Sequence, residues 1–133
     1  MFEYEELKRD EKEDYLELAI LKYLQIIQKP VERKQIVEYL RIHDIFVPQS
    51  EFKLNNAGTE LKIGPRFSFA LTSLSHANLI YHPKHGLTAL TKLGSEVNTS
   101  QTSYIHHLVR QRWIKYHREH TISDDSQCKK LVK

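Results

Sequence analysis

A chain of 133 residues, 40% hydrophobic and 28% charged, is long enough to bury one core without disulfides or a structural metal, and its usage excludes wholesale disorder. No apolar run approaches the roughly 18 to 20 residues of a membrane span, and the opening MFEYEELKRDEKED is too acidic for a signal peptide, so a cytoplasmic protein without membrane contact is expected. The net charge of +3 is unevenly spread: residues 1–50 carry 8 Lys/Arg against 11 Asp/Glu, and residues 51–133 carry 12 against 6.

The acids between Glu3 and Asp14 read as a solvated helix start, where negative charge suits the positive end of the peptide dipoles. Seven acids beside three bases are too few to imitate DNA. From Glu11 to Gln28, Leu16, Ile20, Tyr23, Leu24 and Ile27 recur at spacings of three and four, which predicts a helix ended by Pro30. Leu18, Leu21 and Ile26 widen its apolar face, so this helix is expected to be central. A second helix, about Arg33 to Ile42, turns Ile36, Val37 and Leu40 inward.

Residues His43 to Gly64 show no sustained period and contain Pro48, Asn55, Asn56 and Gly58, which predicts a long loop with at most a short helical turn. Gly64-Pro65 then opens a third helix, because proline is favoured in the first turn, where its missing N–H is no loss. Projected at about 100° per residue, Phe67, Ala70, Leu71, Leu74, Ala77 and Asn78 fall on the packing side. Ser68, Phe69, Thr72, Ser73 and His76 fall on the other, with Arg66 near its N-terminal edge. Asn78 suits the left-handed conformation that closes a helix.

Leu79 to His82 and Gly86 to Leu90 read as a hairpin around a Pro83 to Gly86 turn. Thr91 caps a brief helix to Val97, and Asn98-Thr99-Ser100 breaks the pattern. A last helix runs to about His120 with an apolar stripe of Ile105, Leu108, Val109, Trp113 and Tyr116, and residues 121–133 form a flexible tail.

Three helices followed by a hairpin is the connectivity of a winged helix, a variant of helix-turn-helix. The expected fold is therefore mainly α with a small β-hairpin: a winged helix-turn-helix over residues 1–98, then a C-terminal helix over 99–120 that packs or dimerises, then the tail. The stretch RFSFALTSLSHANLIYHPKHGLTALTKLGSEV resembles the N-terminal winged-helix domain of Mrr-type restriction proteins. The shared features are Arg66, the Phe69-Ala70-Leu71-Thr72 core, the Asn78-Leu79-Ile80 exit, the wing turn, and Leu90-Thr91 with Gly94. The resemblance covers about residues 12 to 97, with RKQIVEYL as helix two. The connection before helix three departs from the family pattern, and 133 residues cannot hold the nuclease domain into which the restriction enzymes continue. The resemblance thus implies DNA binding without cleavage.

Charge agrees with it. Between Lys62 and Arg118, eight Lys/Arg meet a single acid, Glu96, a balance that draws in a polyanion. Helix three would enter the major groove of double-stranded DNA. Arg66 would reach a phosphate or guanine edge, Phe69 a thymine methyl, and Ser68, Thr72, Ser73 and His76 would make polar contacts, with Lys62, Lys84 and His85 along the backbone. Phe69 packed beneath the long loop is the other expectation for that ring.

Catalysis and metal binding find weaker support. Asp44 with Glu51-Phe52-Lys53 has the residue types of a metal-dependent nuclease, but at permissive spacing and in a predicted loop. The pairs His82/His85, His106/His107 and His117/His120 lack the further ligands that a closed zinc site needs; they read as solvated or phosphate-facing. Cys128 stands alone as a free thiol. No catalytic residue, metal or cofactor is expected. The predicted function is that of a non-catalytic DNA-binding protein, a transcriptional regulator or the stand-alone recognition module of a restriction-type system, paired as a homodimer through its C-terminal helix to read two half-sites. The alternative is a winged helix used for protein association, such as a phage or mobile-element inhibitor or adaptor, anchored through Phe69 and the final apolar stripe.

Overall fold

The computed structural model describes residues 3–102, 104–111 and 114. Its first long element, α1, spans Arg9–Ile27. It starts where the Glu11 carboxylate reaches back to accept from the Lys8 backbone N–H at 2.8 Å, which satisfies a donor that the helix itself leaves orphaned. It stops at Gln28, whose φ of 55° is left-handed, so the helix is already closed two residues before Pro30. The acidic opening is more than a solvated start. Tyr4, in a 3-10 turn ahead of α1, is buried, meets Phe46 edge-on at 5.9 Å and lies 5.1 Å below the Lys12 ammonium.

A two-residue strand, β1 (Val31–Glu32), follows, too short for any periodicity to announce. Next is α2, Arg33–His43, which buries Ile36 and Leu40. The connection from 43 to 64 is the expected loop with one short helical turn, and local turn chemistry holds it. Asp44 accepts from the backbone N–H groups of Phe46 and Val47, both at 2.9 Å, and from the Tyr15 hydroxyl at 2.6 Å. A 3-10 turn covers Gln49–Phe52, and Leu54 bridges to Leu61 in a miniature hairpin closed by Asn55 N–H to the Glu60 carbonyl at 2.8 Å. Val47, Phe52 and Ile63 pin this segment into the core.

Helix α3, Gly64–His76, packs mainly on α1 through Phe67, Ala70, Leu71 and Leu74. Burying a phenylalanine such as Phe67 stabilises by roughly 1.5 to 3 kcal/mol. Asn78 adopts φ 62° as expected, and the Leu79 N–H reaches back to the Leu74 carbonyl at 3.0 Å, which occupies a carbonyl the helix end would otherwise orphan. Strands β2 (Ile80–Tyr81) and β3 (Leu87–Leu90) form the wing. The sheet is antiparallel in the order β1-β3-β2, with Val31 opposite Thr88 and Ile80 opposite Leu90.

The last short helix, α4 (Lys92–Glu96), is capped by Thr91. Its hydroxyl accepts from Gly94 N–H at 2.9 Å and donates to the Asn78 carbonyl at 2.6 Å, tying α4 to the exit of α3. A β-carbon on Gly94 would lie 1.9 Å from the Leu79 carbonyl oxygen, so this crossing admits only glycine. Residues 104–111 are helical, and Ile105 and Val109 complete the same core. The whole is mainly helical with a three-stranded antiparallel sheet, a winged helix followed by a C-terminal helix. Trp113, Tyr116, the continuation to His120, Cys128 and the tail 121–133 lie outside the described residues. No helix among the described residues is long and apolar enough to cross a membrane.

Candidate nucleic-acid interface

Helix α3 separates two cavities of opposite character. On the wing side, a cavity of about 430 Å³ is lined by Arg33, Ser68, Thr72, His82, His85 and Thr88, with Leu71 and Gly86. No carboxylate lines it. Arg33, the first residue of α2, reaches across to α3. It donates to Ser68 Oγ at 2.7 Å and to the Gly64 carbonyl at 3.0 Å, with its guanidinium 5.1 Å from the Phe67 ring. Burial lowers its pKa, and Glu60 opposes that.

The hydroxyl on Ser68 accepts from Arg33, so its own hydrogen remains to be donated. Thr72 is exposed and donates back to the Ser68 carbonyl at 3.0 Å, so its lone pairs remain to accept. The wing contributes His82, whose Nδ1 lies 2.9 Å from the Leu87 carbonyl oxygen, and exposed Lys84 and His85. The arrangement offers a donor, an acceptor, two imidazoles and a fixed guanidinium in one groove.

On the α1 side, a cavity of about 360 Å³ is lined by Arg9, Glu13, Pro65, Arg66 and Phe69. Here an acid sits among the cations. Glu13 is buried, with Arg9 3.6 Å away; burial raises its pKa, while Arg9 and Arg66 pull it down.

Residues 14–100 match the family of the Mrr N-terminal domain. The chain belongs to that family. No curated protein and no solved structure matches the chain significantly. The Mrr N-terminal domain is the non-catalytic N-terminal part of restriction proteins, and the matched residues contain the whole of α2, α3 and the wing.

Within this Mrr N-terminal domain, the residues expected at a DNA interface divide. Ser68, Thr72 and His85 share the wing-side groove, Lys84 adjoins His85 on the wing turn, and Lys62 is exposed just ahead of α3. Arg66 and Phe69 line the other cavity. Arg66 is half-buried in the field of Glu13 and Tyr4, and Phe69 is 38% exposed. His76 is half-buried in the last turn. Ser73 requires a correction: it is 0% exposed, so the packed side of α3 is wider than the projection drew it and takes in a residue at its edge.

The even basic field expected from Lys62 to Arg118 also needs correction. Arg110 lies 3.6 Å from Asp14 on α1, with the His106 ring 3.9 Å from the same carboxylate, so this guanidinium faces an acid of its own chain; Arg112, Lys115, His117, Arg118 and His120 lie outside the described residues. Beside them, Glu17 is 2% exposed. Its pKa is pushed up to about 8 by burial, then by Asp14 and Glu13. Asp44 serves as a turn former rather than a metal ligand, and Glu51 sits on a 3-10 turn. Among the described residues, no group of three or more His, Cys, Asp or Glu side chains is placed to hold a metal.

Arg33 and Thr88 escaped sequence reasoning, and His82 entered only as half of a histidine pair. One signal for Arg33 was available. Arg33 and Lys34 are cations at the start of a helix, the end where positive charge is unfavourable, which suggests a task outside α2.

Proposed function

We propose that this chain is a non-catalytic, double-stranded DNA-binding winged-helix protein, acting as a transcriptional regulator or as the recognition module of a restriction-type system. Membership of the Mrr N-terminal domain family supports a DNA-related role. The carrying observation is the wing-side groove, where Arg33, Ser68, Thr72, His82 and His85 converge without a carboxylate. Helix α3 enters the major groove with Thr72 outermost and Ser68 beside it, while Lys62, Lys84 and His85 lie along the backbone. His76 contributes at the far end of the helix and Phe69 at its edge. Duplex DNA binding should weaken steeply with salt, as released counterions require. Thr72→Glu places a charge in the groove without touching the core and should cost at least about tenfold in affinity with an unchanged melting temperature. Binding indifferent to both salt and this substitution would end the proposal.

Pairing as a homodimer belongs to the same proposal. Ile105 and Val109 are already buried within the chain, so a dimer must use other residues of the C-terminal helix; light scattering of the full chain decides it. Protein association would have to draw on apolar side chains outside the groove, such as Ile26, Ile42 and Ile45, which are 68%, 58% and 99% exposed. Substituting all three by serine should leave DNA affinity intact if the groove and these side chains have separate tasks.

A further inference from the structure

His82 follows β2, and its ring is fixed from one side only. Nδ1 lies 2.9 Å from the Leu87 carbonyl oxygen and 3.3 Å from Thr88 Oγ1. A carbonyl has no hydrogen to give, so Nδ1 carries a proton whether the ring is neutral or charged, and Nε2 is the atom left to titrate. The ring lines the same cavity as the Arg33 guanidinium, which Ser68 and Gly64 hold in place.

We propose, resting on the DNA-binding function above, that His82 is the wing's contact to a backbone phosphate and that Nε2 takes up a proton as duplex DNA binds. A phosphate oxygen offers only lone pairs, and so does a neutral Nε2. The contact forms when the ring is protonated, and the phosphate charge favours that form. The surroundings of His82 make the coupling conditional on the ligand. From α2 it faces Arg33, and from the wing turn His85. From α3 it faces only the hydroxyls of Ser68 and Thr72 and the Leu71 side chain. The nearest acids are already engaged: Glu32, whose residue pairs with Leu87, holds Lys34 at 3.5 Å, and Glu60 acts on Arg33. No carboxylate lines the cavity, so an arriving phosphate would be the acid that faces the ring.

The test is fluorescence anisotropy of the full chain on duplex DNA at constant ionic strength, between about pH 7.5 and pH 6. Wild-type affinity should rise severalfold over that interval. His82→Gln should flatten the rise to less than about twofold, and so should His82→Asn, whose amide keeps a donor toward the Leu87 carbonyl and so guards against a folding artefact. His43→Gln, at the other end of α2 from Arg33, should keep all of it. Inorganic phosphate alone, titrated at about pH 6 at matched ionic strength, should give no His82-dependent binding, since it brings none of the α3 contacts. A wild type without pH dependence, variants that keep its full slope, or free phosphate bound as well as DNA would each overturn the role of His82 while leaving DNA binding in place. Absence of DNA binding at every pH would instead remove the function on which it rests.

Discussion

The two flanks of α3 carry the same kinds of side chain to opposite ends. On the α1 flank a guanidinium, Arg66, lines a cavity with buried Glu13, and Ser73 is sealed inside. On the wing flank a guanidinium, Arg33, is held by a hydroxyl and a carbonyl, and the cavity around it has no acid. An arginine beside a buried carboxylate has its field cancelled locally, whereas one held by neutral acceptors keeps its charge available to a ligand. Proximity in sequence to the recognition helix therefore says less about function than what each cation already faces. Arg66 lies on α3 and shares its cavity with Glu13; Arg33 lies on α2, its cavity has no carboxylate, and the acid that acts on it, Glu60, does not line that cavity.

The comparison presupposes that the wing is held against α3, and the largest expected effect comes from undoing that. Gly94 passes so close to the Leu79 carbonyl that a methyl group cannot fit, and the same turn carries the Thr91 bond to Asn78. Gly94→Ala should force α4 away from the start of β2 and cost about 3 kcal/mol of stability, at the upper end for overpacking. A chemical denaturation midpoint equal to that of wild type would mean that the wing does not depend on this crossing.

The next effect sharpens the α1 flank. The folded pKa of Glu17, about 8, lies above that of an unfolded glutamate, near 4.3. Between those values the folded state binds the proton that the unfolded state releases, so stability falls as pH rises through the window, by on the order of a few kcal/mol. Glu17→Gln removes that fall. Its melting temperature should exceed wild type by several degrees above about pH 8 and converge with it near pH 5. A difference that does not change with pH would mean that Glu17 is ionised in the folded protein and that its burial is compensated by another group.

What could be read in the sequence follows from how far each signal reaches. The spacing of Leu16, Ile20, Leu24 and of Phe67, Leu71, Leu74 placed two helices and their packing sides, because helical periodicity is local and repeats. Thr91 as a cap and Asn78 as a helix end were legible for the same reason. The strand β1 was not, since two residues carry no period and Val31 becomes a strand only by pairing with Thr88, 57 positions away. The 43–64 connection owes its order to Asp44 and Tyr15, whose bond spans 29 positions. The site was half legible. Ser68 and Thr72 stood out as polar positions of an amphipathic helix, whereas the partners that decide which cations stay available, Glu13 for Arg66 and Asp14 for Arg110, come from another helix.

The smallest effect is the most direct test of the two flanks. Arg33→Ala should weaken duplex DNA binding by about 1 to 2 kcal/mol, the usual loss for a charged contact, and should make the salt dependence shallower by about one counterion. Arg66→Ala should change affinity by less than about twofold, since Arg66 shares its cavity with Glu13; its loss should appear in stability, because Glu13 then keeps only Arg9 of the two arginines that favour its charge. Both variants alter one arginine within reach of α3, so differences in helix propensity and net charge nearly cancel between them. If Arg66→Ala proves the more damaging to binding and leaves stability untouched, the α1 flank faces DNA, and the wing-side groove loses its claim to the phosphates.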